Sequence, residues 1–261
     1  MVRRAPDHER DAGGDPAVLA AKSDIRREVW SALKAAGAAR FPGAEGRIPN
    51  FVGAERAAER LRADAVWRDA STLKANPDSP QLPVRQRALE DGKKVYMAVP
   101  RLASDRPFLE LDPTTLQVPP RQAASISGSA RHGHPVEVSG MDAVDLVVTG
   151  CVAVSSDGAR LGKGGGFSDL EYALAWEAGL IGPSTVVATT VHDVQVLDAG
   201  RIPVTGHDFR LDVIFTPTQI IRCSRQGRRR PAIHWDELTD GKVAAIPLLA
   251  RLRHGPTDPR T

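Results

Sequence analysis

Residues 160–171 read RLGKGGGFSDLE, with four glycines and two cations in the first seven positions. Those residue types suit anion binding. Glycine has no Cβ, so its backbone N–H groups can close around an oxyanion. A helix beginning directly afterwards would add unpaired N–H donors and the positive end of its dipole. Arg160 and Lys163 add formal charge at the shoulders. Together these parts predict a polyphosphate cradle. The stretch is not a Walker A loop, because three residues separate Gly158 from Gly162 and Gly164 follows the lysine where Ser or Thr would stand. Nor does it follow the first strand as G-x-G-x-x-G. A flexible surface turn is the bland alternative.

The cradle needs a strand before it and a helix after it, and the pattern supplies both. VVTG ends a strand, SSDGARLGKGGGF is loop, and SDLEYALAWEAG is helical. Ser168 and Glu171 have the spacing of a capping box. Leu170, Ala173, Leu174 and Ala178 form the expected buried face, and Gly179 the expected stop.

Upstream, KSDIRREVWSALKAAG predicts a helix from Lys22, capped by Ser23 or Asp24, with Ile25, Val29 and Leu33 on one face. GAERAAERLRA and PVRQRALEDG (83–92) predict two more helices. STLKA (71–75), KVYMAVP (94–100), DLVVTG (145–150), STVVATTV (184–191) and LDVIFT (211–216) read as strands. Strands alternating with helices predict a mostly parallel sheet in a layered α/β fold. Residues 102–143 lack periodicity and read as a long functional or disordered loop in which short strands can hide. Residues 1–21 are expected to be a disordered tail, 22–253 a single domain, and 254–261 a flexible end, with a helical segment packing on the domain just before it.

The 261 residues are 41% hydrophobic and 26% charged, enough for a substantial core. No apolar run reaches membrane-spanning length, and the charged N-terminus lacks the apolar core of a secretory signal. Two isolated cysteines, Cys151 and Cys223, suit neither a disulfide framework nor a Cys-x-x-Cys metal site and fit a reducing cytoplasm. The formal charge is +3. Arginines at 222, 225, 228, 229 and 230 raise the question of nucleic acid, but no aromatic residues interleave them, so a solvated basic turn is expected. His132 and His134 lack a nearby carboxylate or thiol partner and read as exposed loop residues; His192 reads as structural or as a cleft acid/base.

DLVVTGCVAVSSDGARLGKGGGFSDLEYAL followed by RIPVTGHDFRLDVIFTP resembles the 5-formyltetrahydrofolate cyclo-ligase family, whose pattern runs D-x-x-G-x-R-L-G-x-G-x-G-Y-Y-D and then P-x-x-x-H-D-x-x-x-D. Gly158, Arg160, Leu161, Gly162, Gly164, Gly166, Asp169, Pro203, His207, Asp208 and Asp212 match it, and the middle of the chain is similar to the synthetase domain-containing branch. The resemblance implies a three-layer Rossmann-like sheet of the sugar-phosphate isomerase/CoA transferase-like type. It also implies ATP- and Mg²⁺-dependent closure of 5-formyltetrahydrofolate to 5,10-methenyltetrahydrofolate, the formyl oxygen being phosphorylated before N10 attacks. Arg160, Lys163 and Asp169 are then the catalytic candidates, with Asp169 the Mg²⁺ ligand. Lys22, Arg26, Gly162, Gly164, Gly165, Gly166, Phe167 and Ser168 join Arg160 and Lys163 around ATP. Phe51, Pro100, Arg101, His207 and Asp208 are the substrate-side candidates.

Phe167 and Ser168 stand where the family carries tyrosines, Gly150 and Val154 replace its Pro and Phe, and IPNFVGAE around Phe51 offers no clear counterpart of the family's glutamate near the pterin contact. A small reduced folate or similar compound is the expected partner, with neither membrane nor nucleic acid, in a monomer or homodimer. The second reading is a non-catalytic nucleotide-binding or RNA-associated regulator of the same fold.

Overall fold

Apolar runs too short for anything but strands pair into a mixed eight-stranded sheet with helices on both faces. This computed structural model describes residues 15–99, 102–225 and 230–254. The chain begins with α1 (Pro16–Ala35), α2 (Ala54–Arg62) and α3 (Ala65–Arg68), then β1 (Thr72–Ala75), α4 (Leu82–Glu90) and β2 (Lys94–Ala98). Next come β3 (Phe108–Leu111), α5 (Pro120–Ala123), α6 (Ile126–His132), β4 (His134–Val136) and β5 (Leu146–Thr149). Two short strands, β6 (Ala153–Ser155) and β7 (Arg160–Leu161), precede α7 (Phe167–Glu177) and β8 (Val186–Thr190). The chain then forms β9 (Val196–Leu197), β10 (Val213–Phe215), β11 (Ile220–Arg222), α8 (Asp240–Ala245) and α9 (Pro247–His254).

The strand order is β11-β10-β8-β5-β1-β2-β3-β4. Strands β10, β8, β5, β1 and β2 run parallel, while β3, β4 and β11 are antiparallel additions at the edges. Alternate residues face opposite layers, as strand geometry requires. Leu73, Met97, Val148 and Phe215 meet Leu61 of α2 and Val84 of α4. Tyr96, Val147, Val187 and Ile214 meet Leu170 and Leu174 of α7, together with Val243, Ile246 and Leu249 near the C-terminus. The apolar stripe of α1 instead covers Val152, Ala153, Ala159 and Leu161, around a small second sheet ordered β7-β6-β9.

Strand β1 lies between β2 and β5, so the chain builds outward in one direction and then the other. Parallel sheets open a crevice at such a reversal, beyond the carboxyl ends of the two strands. Asn76 follows β1 there and Gly150 follows β5.

Three expectations are corrected. Helix α1 starts at Pro16 rather than Lys22: Asp15 is the cap, its Oδ1 accepting from Ala17 N at 2.8 Å, and proline suits the first helical turn. Residues 16–21 are therefore helical; 1–14 and 255–261 lie outside the described residues. Region 102–143 is not loop throughout: it does hide short strands, β3 and β4 at the sheet edge, and it adds two short helices that were not expected. Its elements are three to seven residues long, below the reach of periodicity.

One buried ion pair ties the crevice together. Lys74 of β1 and Glu171 of α7 pair with side chains only 6% and 7% exposed. Removing one partner of such a pair strands the other charge. Lys74→Ala is expected to cost about 3–5 kcal/mol in denaturant unfolding, and Lys74→Met with Glu171→Leu to recover most of it; a loss under about 1 kcal/mol for the single variant would mean that the pair does not anchor α7.

Candidate functional site

The glycine loop joins β7 to α7, and its ends are stapled by side chains. Arg160 Nη1 donates to Asp169 Oδ1 at 2.7 Å, across the whole loop. The guanidinium, 2% exposed, lies 4.3 Å from the Phe209 ring centroid. Burial opposes its charge, but Asp169, with lesser help from the Cys151 thiol and Asp208, raises its pKa above the ordinary value. Arg26 Nε donates to the Gly162 carbonyl at 2.8 Å.

Helix α7 begins earlier than the capping box predicts. Its N-cap is Gly166, at φ +65°, a left-handed conformation that glycine takes without steric cost. Ser168 lies inside the helix, where its Oγ accepts from Asn76 Nδ2 at 3.2 Å, while Glu171 is engaged by Lys74. Ala178 is exposed, and Tyr172 and Ala175 join the buried face instead. Gly179 does follow the last turn at φ +72°.

The result is an array of free donors. None of the backbone N–H groups of residues 162–168 has a hydrogen-bond acceptor among the described residues. They occupy the glycine loop and first turn of α7, with Lys163 exposed among them.

Across the crevice the polarity reverses. Arg85, fully buried, donates to the carbonyls of Asn76 (2.5 Å), Asp78 (3.1 Å) and Pro77 (3.2 Å), and so shapes the turn after β1. Burial lowers its pKa to about 10, with Asp78 opposing. The amide nitrogens of Asn76 and Gln81 are engaged by Ser168 and Thr190, but their oxygens are not. Asn76 Oδ1 and Gln81 Oε1 are buried and accept no hydrogen bond from the described residues, and Thr149 Oγ1 is also unpartnered. Burial raises the Asp78 carboxyl above the usual carboxylate range, against the fields of Lys163 and Arg85. A Cβ placed on Gly150 would lie 3.0 Å from Asp78 Oδ2, Gln81 Oε1 and Ile48 Cγ2. Glycine there leaves the acceptors uncovered. No motif in the sequence marks Asn76, Asp78 or Gln81; a carboxylate directly beyond a parallel strand is the available signal.

The remaining candidates divide. Lys22 Nζ pairs with Asp208 Oδ2 at 2.5 Å, joining α1 to the second motif. Burial works against the Asp208 charge, but Lys22 and Thr205, donating from N (2.7 Å) and Oγ1 (2.9 Å), hold that carboxyl below the usual range. His207 lies half-buried beside Thr205. Phe51 is 1% exposed and meets the His192 ring edge-on, so it is a packing residue and not an open wall. His192 caps a turn, its Nδ1 accepting from Val194 N at 3.2 Å. Pro100 and Arg101 lie outside the described residues. His132 and His134 are exposed. Arg222 pairs with Asp64 at 2.5 Å and Arg225 with Asp212 at 2.8 Å, which ties both to the sheet edge; residues 226–229 lie outside the described residues.

A magnesium ion asks for one or two carboxylate oxygens, the rest coming from phosphates and water. Asp169 fits: Oδ1 is held by Arg160, and Oδ2 has no partner among the described residues. Among those residues no three His, Cys, Asp or Glu side chains gather into a cage, and no helix is long and apolar enough to cross a membrane.

Known proteins are similar to this chain in sequence and in fold. A bovine (Bos taurus) methenyltetrahydrofolate synthase domain-containing protein is 36% identical over 248 residues, 92% of this chain and 64% of its own length. The mouse (Mus musculus) protein of that name is 37% identical over 240 residues, 89% of this chain and 63% of its own. The chain thus spans slightly under two thirds of these relatives. The solution structure of Aquifex aeolicus 5,10-methenyltetrahydrofolate synthetase shares the fold, with a TM-score of 0.51 at 19% identity over 82% of this chain and 98% of that one. The family model of 5-formyltetrahydrofolate cyclo-ligases matches residues 18–217, so the chain belongs to the 5-formyltetrahydrofolate cyclo-ligase family.

Proposed function

We propose that the chain closes 5-formyltetrahydrofolate, or a related N-formyl compound, to its 5,10-methenyl form at the expense of ATP, releasing ADP and phosphate. The observation that supports this most is the run of unpartnered amides at 162–168 close to unpartnered acceptors of the turn after β1, the two segments being joined by the Asn76–Ser168 hydrogen bond. Phosphoryl transfer needs positioning and charge neutralisation more than covalent help. The amides of Gly162, Gly164, Gly165, Gly166, Phe167 and Ser168 offer fixed donors to phosphate oxygens, and exposed Lys163 adds the mobile charge. Asp169 Oδ2 would hold magnesium, which when bound supplies further neutralisation of the phosphates. Arg160 acts behind them as a positioning residue, because its guanidinium is buried and already engaged by Asp169.

Asn76 Oδ1, Gln81 Oε1 and Asp78 present hydrogen-bond acceptors, and a reduced pterin carries N–H donors along its pyrimidine edge. His207 and Asp208 form the farther wall, anchored by Lys22. A reducing cytoplasm suits two unpaired cysteines beside such a substrate.

The first test follows the methenyl product by its ultraviolet absorbance with ATP, Mg²⁺ and 5-formyltetrahydrofolate. Product is expected; binding of both ligands without turnover would overturn the enzymatic reading. Lys163→Ala is the clean probe of the cradle. It should weaken ATP–Mg²⁺ binding roughly tenfold, as loss of one charge-assisted hydrogen bond does, and leave stability unchanged. Equal affinity would remove the loop from nucleotide binding. Asp169→Ala is less clean, because it also strands the buried Arg160 charge.

Asp78 gives a pH signature. Its carboxyl is raised in the folded state, so the unfolded chain ionises first and stability falls as pH rises from the unfolded value through the folded one. Asp78→Asn is expected to be the more stable protein at neutral pH, with the gain vanishing below about pH 4, while its affinity for 5-formyltetrahydrofolate drops. Denaturant titrations across pH check the first part and ligand titration the second; a gain independent of pH would refute the assignment.

A further inference from the structure

The family match ends at residue 217, yet the chain beyond it returns to both motifs. Thr239 caps α8, its Oγ1 accepting from Lys242 N at 3.2 Å. Val243, Ile246 and Leu249 are buried in the same cluster as Leu170 and Leu174, which anchors this extension on the helix that the glycine loop opens. Lys242 is 9% exposed. Its Nζ donates to the Gly165 carbonyl at 3.1 Å, lies 5.3 Å from the Phe167 ring centroid, and is 3.3 Å from where a Cβ on Gly166 would sit. Upstream, the His234 ring meets the His207 ring edge-on at 6.3 Å and lies 3.2 Å from where a Cβ on Gly206 would sit.

We propose that Lys242 is a positioning residue of the nucleotide loop, supplied from outside the family core, which holds residues 164–166 with their amides turned towards the ligand. In a trans peptide the carbonyl and the following N–H point in opposite directions. Fixing the Gly165 carbonyl on Lys242 therefore aims the Gly166 N–H away from the extension. Arg26 does the same at the other end of the loop through the Gly162 carbonyl. Three consecutive glycines would otherwise sample many backbone states, and a ligand would have to order them on binding. The proposal rests on the reading of this loop as a nucleotide site, but its mechanical half does not need nucleotide.

The test compares full-length wild type with Lys242→Met, which keeps the apolar stem and removes the ammonium, and Lys242→Arg, which keeps a cationic donor. Without nucleotide, tryptic cleavage after exposed Lys163, read by mass spectrometry on the folded protein, should run at least several-fold faster in Lys242→Met and near the wild-type rate in Lys242→Arg. With nucleotide, Lys242→Met should lose about tenfold in ATP–Mg²⁺ affinity at unchanged affinity for 5-formyltetrahydrofolate, a split that general destabilisation would not produce. Unchanged cleavage overturns the proposal, as does faster cleavage at unchanged ATP affinity in a chain that binds ATP. Failure of arginine to restore the loop assigns the effect to packing and also overturns it. Faster cleavage in a chain whose wild type binds no ATP upholds the latch and removes the nucleotide reading instead. Should Lys242→Met not fold, Lys242→Gln serves, its amide being too short to make the same contact.

Discussion

Arg160 and Asp169 face each other at 2.7 Å from opposite ends of the glycine loop, and the cleft depends on that contact. A buried pair adds little net stability, because desolvation offsets the attraction, but losing one member costs several kcal/mol. Its value lies in geometry. The pair closes a segment of high backbone entropy into a fixed ring before any ligand arrives, so the ordering cost falls on folding and not on binding. Phe209 under the guanidinium and Lys74 under Glu171 extend the same rigidity into the sheet.

The fate of the other cations follows. Arg160 reads as a phosphate ligand from its place in the glycine loop, and the family resemblance implies the same for Lys22 and Arg26. In the fold each holds protein: Lys22 an aspartate, Arg26 a carbonyl, Arg160 an aspartate. Among the described residues of the loop, Lys163 is the exposed cation, and the unpartnered backbone dipoles lie beside it. Preorganised dipoles suit a site where charge moves during reaction, because they do not have to reorient at the moment of transfer.

The regular elements were legible because their signals are local. Leu73, Val95, Val147, Val187 and Ile214 sit in runs long enough to show a strand, and the Ile25, Val29 and Leu33 stripe shows the first helix. The second sheet was not, since β7 and β9 have two residues each and exist only by pairing with β6. The capping box failed for a related reason: Ser168 and Glu171 have the right spacing, but Asn76 and Lys74, over ninety positions away, compete for both side chains. The position of the glycine loop between a strand and a helix was readable, whereas the burial of Phe51 was not, because an exposed aromatic and a buried one look alike in sequence. Asn76, Gln81 and Arg85 carry no motif at all, and their meaning appears only once β1 and β5 lie side by side.

Where the polar deficits fall is the last constraint. Elsewhere the core satisfies its buried groups with care: Gln195 donates to the Cys151 and Val152 carbonyls, Thr185 to Val144, and Arg85 to four carbonyls. Arg160 Nε, a donor at the start of the glycine loop, is also bare; a buried acceptor left bare costs roughly 1–3 kcal/mol, so Asn76, Gln81 and Thr149 need a reason for being open. All three lie in or directly beyond the sheet end at the strand-order reversal, with Asp78 held at a cost among them. Local rules break where a ligand completes them. A molecule rich in N–H donors on one side and in phosphate oxygens on the other would satisfy both sets of groups at once, which is the polarity of the reduced folate and nucleotide proposed for this site.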